Sequence, residues 1–378
     1  MDFKKLKHLL LDHTRFFYHV ILNERMRSNL KRFKNSKNKK SFSKTNSERK
    51  ELQNYWGCIP TQYYTHDFYL TQNTLDNEEI KKYIPSYYFY KIIVPQYDNV
   101  KSVIPIVEHK IKMIQYFKKI GLKHSNVIIT KNKNNLVCID NHHLSKESIE
   151  KIISDLTCNR LFIKPALGRG GKGIIIAKKK PDGFYFNQHL INYDYLLSLK
   201  GDYVIETEIK QHPYITSIYN HSVNTIRAIT VRHDNGKIEF IAATLRMGIG
   251  GKEVDNGSLG GIMIGIDLSN GQSLRSYATH SVGTTKYKNH PDSGFDFSTL
   301  QIPNWRQIKK DIIDSANKLD LLNLAGWDIA ITDSGINIIE VNTLFGIDLT
   351  QTSVGGIRDF FLQGDPKNHQ NIYNYKGI

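Results

Sequence analysis

The stretch that decides the fold is FIKPALGRGGKGIIIAKKK, residues 162–180. Gly168, Gly170 and Gly173 spell G-x-G-x-x-G, the pattern of a dinucleotide-binding turn. Such a turn follows a strand and opens a helix. Here it runs into Ile174, Ile175, Ile176 and Ala177, and three consecutive β-branched residues favour strand over helix. The loop therefore joins two strands. A glycine-rich β-turn-β can fold over a polyphosphate and offer it several backbone N–H groups, because glycine accepts positive φ and carries no side chain to hold the backbone away. Lys164 leads into the loop, and Arg169 and Lys172 add charge within it. No Ser or Thr follows Lys172, so it is not a Walker loop, and the H-R-D and D-F-G motifs of protein kinases are missing. Taken alone, the loop is equally compatible with a surface hairpin.

A second stretch, GWDIAITDSGINIIEVN (326–342), places two β-type runs around Asp333-Ser334-Gly335. A three-residue loop with glycine last is a favoured hairpin geometry. With that loop Thr332 faces Ile336, and Asp328 comes opposite Glu340. Alternation puts Glu340 and Asn342 on one face and Val341 on the other. Asp328, Glu340 and Asn342 then converge as hard oxygen donors suited to Mg²⁺. Ile329, Ile331, Ile339 and Val341 make the opposite face apolar, and Trp327 and Phe345 bracket the site. The alternative is a solvent-facing polar side of a hairpin. A third, weaker feature is YVIETEI (203–209), a strand that turns polar at Glu206 and could offer backbone groups to an adenine edge.

Composition bounds the rest. A chain of 378 residues is long enough for a sizeable core and two or three subdomains. Its 40% hydrophobic and 23% charged content is that of an ordinary globular protein. No apolar run approaches the roughly 20 residues of a membrane span, and a secretory leader is not expected from the N-terminus. Cys58, Cys138 and Cys158 have no metal-type spacing and suit a reducing cytoplasm. The net charge of +16 is concentrated in residues 1–50, which hold fifteen Lys/Arg against four Asp/Glu. Apolar residues recur at helical spacing over 3–30, and KRFKNSKNKKSFSKTNSERK (31–50) reads as a basic mobile linker. An anionic membrane surface or an acidic partner are the alternative readings of this segment. Nucleic acid is not expected, since no basic–aromatic motif of a known reader is present.

Further along, 55–105 is Tyr-rich and irregular, and a helix closes near Gly121. NVIIT and NLVCID read as strands, and Ser145 is suited to cap a helix in SKESIEKIISDL. Another helix is expected near 187–199, a hairpin turn at Asp234-Asn235-Gly236, and a helix near 304–319. The fold class is α+β. No Ser-His-Asp or Cys-His arrangement is found, and His221, His233, His280 and His290 share no spacing signature.

Together and in this order, these features resemble the ATP-grasp superfamily, and within it the sugar-transfer-associated ATP-grasp group. The resemblance is best from about Lys110 to Gly356. It rests on HK before IGL, FIKP before the glycine loop, VIETEI, SVNTIR, LRMG, VDNGSLGGI, GWD and IIEVN. It implies two α+β subdomains gripping ATP, behind an N-terminal basic helical extension. The corresponding limits are 1–52 for the extension and linker, 53–121 for the N-terminal part of the enzyme body, 122–210 for the small subdomain and 211–378 for the large one. By resemblance, Lys110, Lys164, Gly168, Arg169, Gly170, Gly171, Lys172 and Gly173 bind the nucleotide. Glu206 bonds the adenine amino group, with Thr207 and Ile209 beside it. Asp328, Glu340 and Asn342 hold Mg²⁺, or Mn²⁺ in its place. Arg246, Lys164 and Arg227 are the implied catalytic residues, with Arg246 facing the transferred phosphoryl group and Arg227, Asp255 and Asn256 near the acceptor.

Three positions depart from the family pattern. His109 replaces the usual acid before Lys110, GLKHS (121–125) replaces GIP-P, and no ribose-binding acid follows Ile209, where His212 is the substitute. The implied activity is an ATP- and Mg²⁺-dependent carboxylate–amine ligase working through an acylphosphate. It would serve surface polysaccharide biosynthesis in the cytoplasm, with peripheral membrane or glycosyltransferase contact through residues 1–50. A sugar or small-molecule kinase on the same fold, and a nucleotide-binding docking protein of a glycosyltransferase complex, are the alternatives.

Overall fold

A computed structural model describes residues 22–97, 100–168, 170–255, 260–280, 285–320 and 322–362, with Thr14, Phe16, Phe17 and Pro366 besides. Most of the helix expected over 3–30, as well as Arg169 and Asn256, lies outside the described residues.

The basic segment 31–50 is no linker. It forms the end of one helix, α1 (Glu24–Asn35), and the greater part of a second, α2 (Phe42–Trp56). Asn23 caps the first by accepting from the Met26 N–H at 3.1 Å, and Ser41 caps the second by accepting from the Lys44 N–H at 3.2 Å. Part of the charge is compensated inside the fold. Arg32 meets Asp67 at 2.8 Å. Buried Glu48 accepts from Lys40 at 2.9 Å and from the Tyr63 hydroxyl at 2.7 Å. The Tyr-rich stretch supplies the apolar counterpart through α3 (Thr61–Thr65), α4 (Asn77–Lys81) and a continuous helical run over 86–96. Tyr63, Tyr64 and Tyr69 are buried against Met26 and Leu52, with Phe33 set edge-on to Tyr64 and Tyr69. Trp56, Tyr88 and Phe89 carry this layer onto the body, where they join Ile229, Phe345 and Ile347 in one cluster.

Among the described residues the strands form two seven-stranded antiparallel sheets. Helices α5 (Val100–Val107) and α6 (Lys110–Ile120) precede the first sheet, and Gly121 ends α6 at φ 68°. The first sheet comprises β1 (Val127–Asn132), β2 (Asn135–Val137), β3 (Arg160–Pro165), β4 (Ile175–Lys180), β5 (Gly183–Phe186), β6 (His189–Leu190) and β7 (Tyr203–Thr207), in the order β2-β1-β7-β3-β4-β5-β6. Helices α7 (Lys146–Ser154), capped by Ser145, and α8 (Tyr193–Ser198) pack on it, over a core including Ile149, Ile153, Leu161, Ile163 and Ile205. The glycine loop joins β3 to β4, as the isoleucine run requires.

Helix α9 (Pro213–Ile218) leads to the second sheet. Its strands are β8 (Thr225–Arg232), β9 (Ile238–Met247), β10 (Ile262–Gly265), β11 (Ala278–His280), β12 (Lys286–Tyr287), β13 (Leu324–Thr332) and β14 (Gly335–Asn342), in the order β12-β11-β10-β9-β8-β13-β14. Helix α10 (Trp305–Lys318) packs on it through Trp305, Ile308 and Ile312, and α11 (Ile347–Val354) follows β14. The β13–β14 hairpin differs from its sequence reading in two ways that cancel. Thr332 pairs with Gly335 rather than Ile336, leaving a two-residue turn. A one-residue register shift then falls between Asp328 and Ile329, and it restores Asp328 opposite Glu340. Ile338, not Ile339, is therefore the buried residue, and Ile339 turns toward the polar side. Trp327 does not bracket the site: it is buried in the core with its Nε1 donating to Thr230 at 2.8 Å.

Replacing Glu48 by Ala should strand Lys40 and the Tyr63 hydroxyl and cost about 3 kcal/mol. Urea denaturation checks this; a loss below about 0.5 kcal/mol would return 31–50 to the solvated-linker reading.

Candidate active site

The two sheets face each other across a cavity of about 300 Å³. One wall is the glycine hairpin of the first sheet. Gly168, Gly170, Gly171 and Gly173 all have positive φ, from 72° to 139°, a conformation that residues with a Cβ adopt only with strain. Gly168, Gly170, Gly171 and Lys172 line the cavity; Gly173 does not, and instead lets the chain pass close to Pro165. The hairpin is tied at its base to α6. The Lys110 N–H donates to the Ala166 carbonyl at 2.8 Å, and its Nζ donates to the Gly168 carbonyl at 2.9 Å. Burial lowers the Lys110 pKa, and Lys164 lowers it further.

The second wall belongs to β3 and β7. Lys164 reaches across to Glu206 at 2.6 Å, with both side chains nearly shut off from water. Thr207 and Ile209 continue this wall, beside apolar Phe162 and Ile174.

The third wall is the polar face of the large sheet, where cross-strand register decides which charges meet. Asp328 pairs with Arg227 on one side and Glu340 on the other, while Arg246 lies beside Thr225. Arg227 grips Asp328 with two hydrogen bonds, at 2.6 and 3.0 Å. Arg246 reaches the same carboxylate at 3.1 Å and Asp255 at 3.6 Å, and donates to the Thr225 hydroxyl at 2.6 Å. Thr225 in turn donates to Asp255. Burial would push the Asp328 carboxyl up, but Arg227 and Arg246 together hold it down at about 2. Glu340 goes the other way: burial, and then the charge of Asp328, raise its pKa. Asp255 is raised by burial, against the pull of Arg246.

Glu340 accepts from Asn342 at 3.1 Å, so the three expected metal donors do share one cavity wall. Among the described residues no cluster of three or more His, Cys, Asp or Glu side chains stands at metal-binding distance. Two carboxylates and an amide are too few for an all-protein cage, but they suit Mg²⁺, which retains waters and takes substrate phosphates. A divalent cation held there would offset the burial and the Asp328 charge that raise Glu340. The donor set therefore fits the ion, provided Asp328 can turn from its arginines.

Of the other expected residues, Lys110, Lys164, Lys172, Glu206, Thr207, Ile209, Arg227, Arg246 and Asp255 all line the cavity. His212 does not. It caps α9, its Nδ1 accepting from the Tyr214 N–H at 3.2 Å, so it does not replace a ribose-binding acid. Sequence reasoning passed over Thr225, although strand alternation with Arg227 places the two on one face. It also passed over Ile339, which only the register shift brings to the cavity, and over Gly346 and Leu349.

The profile of the sugar-transfer associated ATP-grasp family matches residues 93–358. The chain belongs to that family. The likeness to solved structures is distant. D-alanyl-alanine synthetase A from Vibrio cholerae aligns at 12% identity and a TM-score of 0.38, over 71% of this chain and 64% of its own. N5-carboxyaminoimidazole synthetase from Staphylococcus aureus, complexed with ADP, aligns at 12% and 0.37, over 67% and 52%. The ATP-grasp ligase PsnB, complexed with minimal precursor, Mg and ADP, aligns at 10% and 0.36, over 73% and 61%. The chain thus spans about half to two thirds of the length of these proteins. No curated protein sequence matches it.

The electrostatics of Glu340 can be tested. A carboxyl whose pKa is raised on folding opposes folding once the pH passes its ordinary value of 4.5. Glu340→Gln should therefore raise the melting temperature of the nucleotide-free protein at pH 7.5. The advantage should shrink as pH falls through the raised value toward 4.5 and be gone below it. The same variant should lose the extra stabilisation that Mg²⁺ adds to ADP. Equal melting at pH 7.5 would show that Glu340 is not electrostatically frustrated.

Proposed function

We propose that the chain is an ATP- and Mg²⁺-dependent carboxylate–amine ligase acting through an acylphosphate. The observation that carries the reading is the single cavity bounded on one side by the glycine hairpin and on the other by Asp328, Glu340, Asn342 and Arg246. When bound there, ATP supplies the phosphoryl group and Mg²⁺ the neutralising charge. Lys110, Lys164, Lys172 and the loop N–H groups of 168–173 are suited to hold the phosphates, with Glu206, Thr207 and Ile209 beside the adenine. Asp328, Glu340 and Asn342 would hold the metal.

The substrate carboxylate attacks the γ-phosphorus as the bond to the departing ADP oxygen breaks. The amine then attacks the acyl carbon, loses a proton and displaces phosphate. The electrostatic task is to gather like charges in line and to stabilise the transferring phosphoryl group. Arg246, pinned between Asp255 and Asp328, is pre-positioned for it, and Arg227 beside it orients the acceptor. Asp255, with Asn256 next in sequence, belongs to the acceptor side. No side-chain nucleophile is needed.

The role in surface polysaccharide biosynthesis is supported by the family's association with sugar transfer. Among the described residues no helix is long and apolar enough to cross a membrane. A cytoplasmic location with peripheral contact through the basic N-terminus is part of the proposal. So are the subdomain limits 122–210 and 211–378.

Incubation with ATP, Mg²⁺ and pairs of sugar acids and amines should release ADP and phosphate only when both acceptors are present. Stable phosphorylated product formed without an amine would identify a kinase instead. Arg246→Ala should lower kcat by about 10²–10³-fold, with a smaller change in ATP KM. A change confined to KM would remove Arg246 from the chemical step.

A further inference from the structure

A second cavity, of about 580 Å³, opens between the N-terminal helical layer and the outer strands of the large sheet. Lys286 lines it from β12, Arg275 and Tyr277 from the segment leading into β11, and His66, Gln72 and Tyr83 from the helical layer. The cross-strand pairs connect it to the candidate active site. Thr225, Arg246, Met263, Thr279 and Lys286 stand side by side across five strands. Directly paired residues share a face, so Lys286 lies on the same face as Arg246, about 14 Å away at ordinary strand spacing. Helix α11 is the partition. Gly346 and Leu349 at its start line the first cavity, and Gln351 and Thr352 near its end line the second.

The balance of charge in this cavity is positive. Among the described residues neither Arg275 nor Lys286 pairs with a carboxylate. Arg275 donates to the Thr352 carbonyl at 3.1 Å, and the Lys286 ammonium lies 4.7 Å from the centre of the Tyr277 ring. The acid in the lining, Asp67, is already held by Arg32 and by the Tyr69 hydroxyl. Burial holds the His66 pKa down at about 4, so its ring adds no charge, and its Nε2 has no hydrogen-bond partner among the described residues. Two unpaired cations would hold an anionic group. The half-buried Tyr277 ring, with amide and hydroxyl groups around it, suits a polyhydroxylated body whose C–H faces are apolar. The volume is that of a small-molecule site, too large for a bare anion alone.

We infer that this cavity is an accessory binding site for an anionic saccharide, its acidic group held by Arg275 and Lys286 and its sugar ring set against Tyr277. The site stands on its own residues and does not depend on the ligase reading. A chain that failed to turn over ATP would leave it untouched.

Isothermal titration of the full chain with a glucuronate-containing tetrasaccharide, glucose 6-phosphate and neutral maltotetraose tests it. At least one acidic ligand should bind and maltotetraose should not; which acid binds tells carboxylate from phosphate recognition. Saturating ADP should not displace the ligand. Lys286→Gln, at an exposed position, and Arg275→Gln should each weaken binding about tenfold or more, with ADP affinity unchanged. Failure of both acids to bind, equal binding of maltotetraose, displacement by ADP, or wild-type affinity in Lys286→Gln would each overturn the site.

Discussion

The site depends on how the Asp328 carboxylate is compensated. A buried carboxylate is tolerated only when its charge and its lone pairs are met. Here Arg227 supplies a two-pronged grip from the next strand, and Arg246 adds a third contact from the strand beyond. None of the three is a sequence neighbour of another; they meet because β13, β8 and β9 lie in register. The same contacts keep both guanidinium groups ordered over the cavity, as the function proposed requires, since a transferring phosphoryl group needs fixed positive charge rather than mobile side chains. Asp328 thus has two loyalties: to the arginines in the nucleotide-free fold and, in the function proposed, to a metal ion.

A second constraint sets the opposite wall. The glycine hairpin carries several positive-φ residues, which makes it a poor element of core packing and a good provider of main-chain N–H groups. Its position is held by Lys110, at the start of α6, through one backbone and one side-chain hydrogen bond. Residues of α6, including Ile111, Ile114 and Phe117, are buried in the core of the large sheet. The hairpin of one sheet is therefore referenced to the core of the other through α6.

The N-terminal layer shows how charge patterning misleads. A run of Lys and Arg with few acids reads as solvated chain. Yet Glu48 and Asp67 are buried beneath it, and each gathers a basic residue and a tyrosine hydroxyl. The acids that decide the matter are single residues, 8 and 35 positions away in sequence from the bases they bind. The layer also closes the second cavity, through residues 65–83 that follow α2.

The sequence by itself determined the α+β class, the β-turn-β nature of the glycine loop and the Asp328–Glu340 pairing. It could do so because β-branching, glycine placement and two-residue alternation act over a few neighbouring positions. Even there the agreement was partly fortuitous: a turn one residue shorter than expected is offset by a bulge, and that bulge turns Ile339 to the cavity. Only the tertiary structure decided that Arg227 and Arg246 share one carboxylate and that a positive cavity lies beyond α11. The physical reason is common to both. Each depends on strand order and desolvation, which are properties of elements brought together from distant parts of the chain and leave no periodic trace along it.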